Sequence, residues 1–366
     1  MKRALGLALA GVLAVGVLGA IVISLRGRAS DGAAQQLTMV KGVIGSEKQP
    51  FFSDAEVINV FHNHGLDVKV DTAGSRQIAS LDLTHYDFAF PAGVPAAEKI
   101  RLARKVNTSY SPFYTPMVIA SFRSIADLLV SAGVAKAEAG YYTFDMQAYL
   151  QLVGRNARWK DLPNNTAYSV GNSILIQSTD VRTSNSAAMY LALASYVANG
   201  NNIVQDPAQG AAVLPKVEPL FLRQGFTATS SEGPFQDYLS IGIGKTPMVM
   251  IYEAQFVAQA ALNAGSIKKD MVLMYPTPTI YSKHTVVPLT AAGDRAGRLL
   301  MTDPDLQRLA IKYGFRTNDA SAFTKFVSEH KVVLPTAIFN VIEPPSYEAL
   351  ESMISTIEQH MKGASS

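Results

Sequence analysis

Hydrophobic and polar positions along the chain follow two alternating periods. Leu37 to Ile44 (LTMVKGVI) is an apolar, β-branched run that predicts a strand. Ser53 and Glu56 stand three apart ahead of Val57, Ile58, Val60 and Phe61, a capping-box spacing that predicts a helix ended by Gly65. Asp67 to Asp71 (DVKVD) alternates as a second strand, so the opening is a βαβ unit and implies parallel pairing. Tyr86 to Phe90, Met117 to Ser121, Ser169 to Ile176, Met248 to Tyr252, Met271 to Tyr275 and His284 to Leu289 predict further strands. Asn185 to Asn199 and Ala254 to Ala264 are Ala-rich helical stretches. Asp303-Pro304 opens another helix, whose apolar face carries Leu306, Leu309, Ala310 and Tyr313 before Gly314. No longer period repeats, which excludes solenoids and propellers and leaves an α/β protein with more than one sheet.

The first residues follow another rule. Ala4 to Leu25 is an uncharged run of 22 residues, long enough to cross a bilayer core of ~30 Å as a helix. Arg26 and Arg28 follow it directly and no lipobox Cys is present. Residues 1–30 are therefore expected to form an N-terminal membrane anchor, with small residues from Ala29 to Ala34 as the place where a cleaved signal would end instead. Lys2 and Arg3 flank one end and Arg26 and Arg28 the other; the body is placed on the extracytoplasmic side of the cell membrane as a single-pass protein. Ser30 to Gln36 (SDGAAQQ) reads as a short linker.

Charge changes the picture once those residues are set aside. Removing Lys2, Arg3, Arg26 and Arg28 from the 32 basic side chains leaves 28 against 29 acidic ones, so the body is near neutral and lacks the basic stripe that nucleic-acid binding needs. With 48% apolar residues the chain has ample core material, and with no Cys it has no disulfides, thiolate nucleophile, Cys-ligated zinc or iron–sulfur cluster.

Motifs for catalysis are weak. Gly242-Ile-Gly-Lys-Thr246 ends like a P-loop, but Leu239 stands where the first Gly belongs, and Pro247 with a strand follows instead of a helix. His62 and His64 are two apart on a predicted helix, a spacing that does not share one face for a metal ion. No Gly-x-Ser-x-Gly elbow and no His-Glu-x-x-His occurs, so the expectation is a non-enzyme that uses no cofactor and no metal. Three stretches share another character, small hydroxyl residues just after a strand and ahead of a helix: Gly45-Ser46, Ala73-Gly74-Ser75-Arg76 and Thr183-Ser184-Asn185-Ser186. Such places present free backbone N–H groups to anions or polar heads at the edge where parallel sheets hold ligands; they also cap helices without any ligand. Phe51-Phe52, Tyr110, Phe113 and Tyr114 read as core, as a partner-facing patch, or as the lip of a ligand mouth. The lone Trp159 reads as structural or as a stacking surface.

Gly45-Ser46, AGSRQIA from Ala73, WKDLP at Trp159 to Pro163, TSNSAAMYLA from Thr183, MIYEAQF from Met250, YPTPTIYSKH from Tyr275 and TDPDLQRLAIKYGFRT from Thr302 together resemble an extracellular solute-binding protein of type II, over about Leu37 to Asn318. The resemblance implies two α/β lobes, each a mainly parallel sheet flanked by helices, joined by a two-stranded hinge. Lobe one is then residues 37–120 plus 253–366 and lobe two residues 121–252. It implies a small polar or anionic ligand held between the lobes and an ABC permease or another membrane protein as partner. Among such proteins the chain looks nearest to molybdate-type oxyanion binders, which carries the ligand contacts over to Ser46, Ser75, Ser184 or Ser186, and Tyr252, with Arg76 as an added charge beside Ser75. The first loop, GSEKQPFF, departs from the usual short turn, and the Asp-x-Ser-x-Ser motif of an attached von Willebrand A domain is absent. The alternative is a membrane-anchored interaction ectodomain on the same scaffold with no ligand in its cleft.

Overall fold

The computed structural model describes residues 36–163, 165–225, 227–263, 265–335, 337–338 and 340–363. The expected anchor at Ala4 to Leu25 lies outside them; among the described residues no helix is long and apolar enough to cross a membrane. Ten strands follow in chain order: β1 Thr38–Gly45, β2 Leu66–Ala73, β3 Phe88–Phe90, β4 Tyr110–Phe122, β5 Ala135–Ala137, β6 Tyr142–Asp145, β7 Met248–Tyr252, β8 Met271–Thr277, β9 Thr279–Pro288 and β10 Val341–Ile342. Their order is β2-β1-β3-β9-β4-β8-β6-β5, with β7 paired to β4 and β10 to β9.

The sheet is mixed, and so corrects the expectation of mainly parallel lobes. β1 with β3 and β6 with β8 are parallel. The long strands β4 and β9 are antiparallel to each other, β4 also to β7 and β8, and β9 also to β3. The reason is topological. β4 carries the chain out of the half built on β1, β2 and β3, and β9 brings it back, so the two connecting strands run in opposite directions.

Each half has its own core. Val40, Ile44, Phe51, Phe52, Phe61, Phe88, Phe90 and Phe113 pack with helices Ala291–Thr302 and Pro304–Lys312 on the β1 side. The larger core gathers the C-terminal part of β4, strands β6 to β8, and the Ala-rich helix Asn185–Ala198, twelve of whose fourteen residues are buried. A helix apolar all round belongs inside a domain, which its Ala, Leu and Met composition foretells. Residues 271–277 and 347–363, both within the C-terminal stretch, pack with this second core. Helix Glu253–Leu262 instead meets Ile311, Phe323 and Val327 through Val257.

Several elements differ from expectation in instructive ways. The helix predicted from Ser53 is capped one residue later: Asp54 accepts from the Glu56 N–H at 2.8 Å, while Ser53 closes the short helix Gln49–Phe52. Ser169 to Ile176 is irregular, joined to the rest through single bridges such as Arg158 with Ser173 and through the Ile176 N–H donating to the Tyr149 hydroxyl. Its alternation marks burial of Ile174 and Ile176, which needs no ladder. β4 is far longer than Met117 to Ser121, because Tyr110 to Pro116 pairs with β9 despite two prolines. His62 pairs with Asp67 and His64 with Asp303, so the two rings serve separate partners.

Helix Pro304–Lys312 starts as its sequence demands, with Asp303 accepting from the N–H groups of Asp305 and Leu306 at 3.0 Å. Replacing Asp303 by Ala is expected to cost ~0.5–2 kcal/mol of stability, read as a lowered urea midpoint at unchanged slope. A neutral result would show that the helix N-terminus is satisfied without its cap.

Candidate functional site

The three hydroxyl loops meet where the halves meet. A Cβ built on Gly45 would stand 2.7 Å from the Ser75 hydroxyl, and one on Gly74 would stand 2.5 Å from the Thr183 carbonyl oxygen, so the first two loops touch each other and the second touches the third. Gly93 likewise faces the Asn185 side-chain oxygen with no room for a Cβ. Glycine is required by close approach, of backbone at Gly74 and of the Asn185 side chain at Gly93, and not by a positive φ.

A chain of hydrogen bonds then crosses the seam. The Ser75 hydroxyl accepts from the Ala92 N–H at 3.0 Å, and the Ser282 hydroxyl donates to the Ala92 carbonyl. Asn185 donates to Ser282 at 3.2 Å and to the Tyr252 hydroxyl at 3.1 Å. Ser184 and Ser186 share a bond of 2.9 Å, and Ser186 reaches Thr179 at 2.8 Å. Ser75, Ser184, Ser186 and Tyr252 are all buried, and Ser46 is half-buried at the start of the turn after β1. Burial of so many hydroxyls is tolerable only because they are bonded to one another. Three atoms are not: the Ser178 and Thr183 hydroxyl oxygens and His284 Nε2 are buried without a hydrogen-bond partner among the described residues.

Arg76 is engaged elsewhere. Its guanidinium forms a two-pronged pair with Glu351 on the C-terminal helix Tyr347–Gly363, with Nη2 at 2.9 Å from Oε2, and its Nε donates to the Arg182 carbonyl at 3.2 Å. It ties the Ser75 loop to the second half as a planar fork does well.

Charge inside the seam comes from residues the sequence reading passed over. Glu47 and Lys48 follow Ser46 and form an ion pair; the Lys48 side chain is fully buried and Glu47 keeps 8% of its surface. Lys48 Nζ also lies 3.1 Å from His284 Nδ1 and 4.8 Å from the centre of the Phe90 ring. Burial opposes ionisation of Glu47, but Lys48 and His284 prevail and hold its carboxyl down at about 2. Burial and then the charge of Lys48 push His284 down to about 4, so the ring is neutral at pH 7. Burial pulls the Lys48 ammonium below its ordinary range against the pull of Glu47. Burial and the Glu47 carboxylate both push the Tyr252 hydroxyl up, which keeps it a neutral donor. His284 Nδ1 faces both members of the ion pair, Lys48 Nζ at 3.1 Å and Glu47 Oε1 at 3.5 Å.

Ser282 and Thr179 were also missed, and Asn185 was named only as a member of its loop. The signal available was the unusual GSEKQPFF loop, two charges set inside an apolar stretch, and a His within the buried strand HTVVPL. Phe51, Phe52 and Phe113 belong to the first core, Tyr110 bonds Asp294 at 2.7 Å, and Tyr114 packs on Tyr281. Trp159 is buried edge-on against Tyr168.

A second buried charge set fixes the strand end. Glu253, wholly buried directly after Tyr252, accepts from Arg316 at 2.7 and 3.0 Å and from the Tyr275 hydroxyl at 2.5 Å.

The sequence matches no family model and no curated protein. The structure is similar to the sulfate-binding protein SubI from Mycobacterium tuberculosis at 17% identity and a TM-score of 0.53, covering 88% of this chain and 99% of that one. It is similar to iron-bound HitA from Pseudomonas aeruginosa at 11% identity and 0.53, covering 89% and 99%. The periplasmic binding protein AfuA from Actinobacillus pleuropneumoniae matches at 11% identity and 0.50, covering 89% and 97%. The chain has the two-lobed α/β fold of periplasmic binding proteins.

The seam charges predict an acid limit. His284 has an ordinary value of 6.5 in the unfolded chain and about 4 in the fold, so between those values only the unfolded chain takes up its proton, and stability is lost as pH falls through that window. Glu47, depressed from 4.5 to about 2, adds a further loss below about 4.5. The His284 share is on the order of 3 kcal/mol. Urea midpoints measured from pH 7 to 4 are expected to fall for the native chain and to flatten above pH 4.5 in His284→Asn; an unchanged slope in the variant contradicts the assignment.

Proposed function

We propose that the chain is an extracytoplasmic solute-binding protein that closes two lobes around a small polar ligand and presents it to an ABC-type importer or another membrane protein. The observation that carries this reading is the seam between the halves, where Ser75, Ser184, Ser186, Asn185 and Tyr252 converge and where the Thr183 hydroxyl and His284 Nε2 stay buried and unpartnered. A ligand's oxygens and hydrogens complete such a set, since hydroxyls and amides replace a hydration shell without bringing a full charge. Support also comes from the fold, which similar structures use to bind sulfate, iron and fructose 6-phosphate. Lobe closure about connecting strands is a rigid-body motion that a membrane partner can detect.

Ser46, Ser75, Ser184, Ser186 and Tyr252 form the proposed contact set. An oxyanion of double charge would call on Arg76 as counter-charge, and Arg76 is neutralised by Glu351. This favours a polar ligand of low net negative charge. The tight approach of Gly74 to Thr183 favours, as a second reading, an interaction ectodomain whose cleft stays shut.

Ligand screening separates the two readings. Dialysed protein is expected to gain ~2.7 kcal/mol of stability at a ligand concentration of 100 times Kd, read as a thermal shift across oxyanion, amino-acid, amine and sugar panels. Ser75→Ala and Ser184→Ala are each expected to weaken binding of the hit by roughly 1–3 kcal/mol in calorimetry. No shift with any panel member supports the interaction ectodomain. The proposed anchor has its own test: intact mass of the membrane fraction is expected to retain residues 1–30, and a chain beginning between Ala29 and Ala34 would rule out the anchor.

A further inference from the structure

The place an oxyanion would take is occupied by the chain itself. Both carboxylate oxygens of Glu47 lie against the point where Gly45 would carry a Cβ, the same point that stands 2.7 Å from the Ser75 hydroxyl. A negative charge therefore already sits between the first two hydroxyl loops, close enough to Tyr252 to raise its pKa, and Lys48 already balances it. A second anion there would meet Glu47, whose own counter-charge Lys48 is already engaged.

Beside Glu47 a cavity of about 170 Å³ opens between helices Glu232–Ser240 and Glu253–Leu262. Its walls include the rings of Phe235, Tyr252, Tyr313 and Phe315, and its charged groups are the carboxylates of Glu47 and Glu232. Among the described residues its lining contains no Lys and no Arg; Lys312, 5.9 Å from the Tyr313 ring, is paired with Asp54 and Glu56. Glu232 is exposed and bonded to Gln236 and Gln255, which holds its carboxylate at the rim. Ring faces carry partial negative charge, and an ammonium centre within ~6 Å of them is attracted most strongly where water is excluded. The volume is several times the ~30 Å³ of a water molecule, enough for a small alkylammonium group.

We propose that this cavity takes the cationic end of a small organic ammonium ligand, with Tyr313 and Phe315 as ring walls, Glu232 as the rim charge and the Glu47–Lys48 pair as the device that turns free oxyanions away. The proposal rests on the solute-binding reading and names its ligand class. His284 stands behind Tyr252 and Phe315, its imidazole 5.9 and 5.1 Å from their rings, and does not line the cavity, so the cation is met by the rings and the carboxylates.

The experiment uses the whole chain with tetramethylammonium chloride and choline chloride as probes, against sodium chloride of equal ionic strength, sodium sulfate and sodium molybdate. Saturable calorimetric binding is expected for choline and for tetramethylammonium, and not for sulfate or molybdate. Glu232→Gln, on an exposed site that leaves the core alone, and Tyr313→Leu, checked for folding by circular dichroism, are each expected to weaken choline roughly tenfold. Sulfate or molybdate binding without choline binding overturns the cation assignment and leaves the solute-binding reading standing. Choline binding untouched by both substitutions places the cation elsewhere and also overturns it. If neither these probes nor the wider panel bind, both readings fall together.

Discussion

Backbone continuity through β4 and β9 is the constraint on which the rest of the structure depends. Tyr110 to Pro116 pairs with β9, and Met117 to Phe122 of the same strand pairs with β7 and β8. One strand therefore serves two cores, and β9 does the same through β3 at one end and β10 at the other. The halves are not free bodies on a linker. Their relative motion is limited to what the twist of two antiparallel strands absorbs without losing ladder hydrogen bonds, and side chains on those strands or at their ends lie close to the axis of any such motion.

That explains where the fold keeps its buried charges. His284 is on β9, Glu253 follows the last residue of β7, and Arg316 is bridged by its backbone to Tyr114 of β4. Burial of an ion pair seldom adds net stability over apolar packing, yet loss of one partner leaves an uncompensated charge that costs about 3–5 kcal/mol. Charge sets with this asymmetry penalise any arrangement that separates their partners. Glu253, held by Arg316 and Tyr275, orients the strand end that carries Tyr252. Glu47 and Lys48 do the same for the turn that carries Ser46.

How much of this was legible in the sequence depends on the range of the interactions involved. β7 is the predicted Met248 to Tyr252, and the helix after Asp303-Pro304 begins where expected, because local composition and capping decide both. The hydroxyl loops were identifiable for a similar reason: small polar residues between a strand and a helix are a local pattern. The meeting of Ser75 with Ala92, or of Asn185 with Ser282, spans many residues and leaves no periodic trace. Glu47 and Lys48 look like surface residues until the chain folds them inward, and Arg76 looks like a ligand group until Glu351 arrives from 275 positions away. Ser169 to Ile176 misled because its apolar positions report the burial of Ile174 and Ile176, which scattered backbone bonds and the Tyr149 hydroxyl hold in place without a ladder.

The Arg76 clasp has a consequence for how the chain is made. β1 and β3 form early in synthesis, but their sheet is completed by β9, and the loop at Arg76 is fastened by a helix that begins at Tyr347. The core of the first half therefore waits for helices Ala291–Thr302 and Pro304–Lys312, and its Arg76 loop for the C-terminal helix. Pairings of such long sequence separation are slow to form, because loop closure must precede the contacts that reward it. An N-terminal half that stays open for this long remains exposed to aggregation until those helices dock on it.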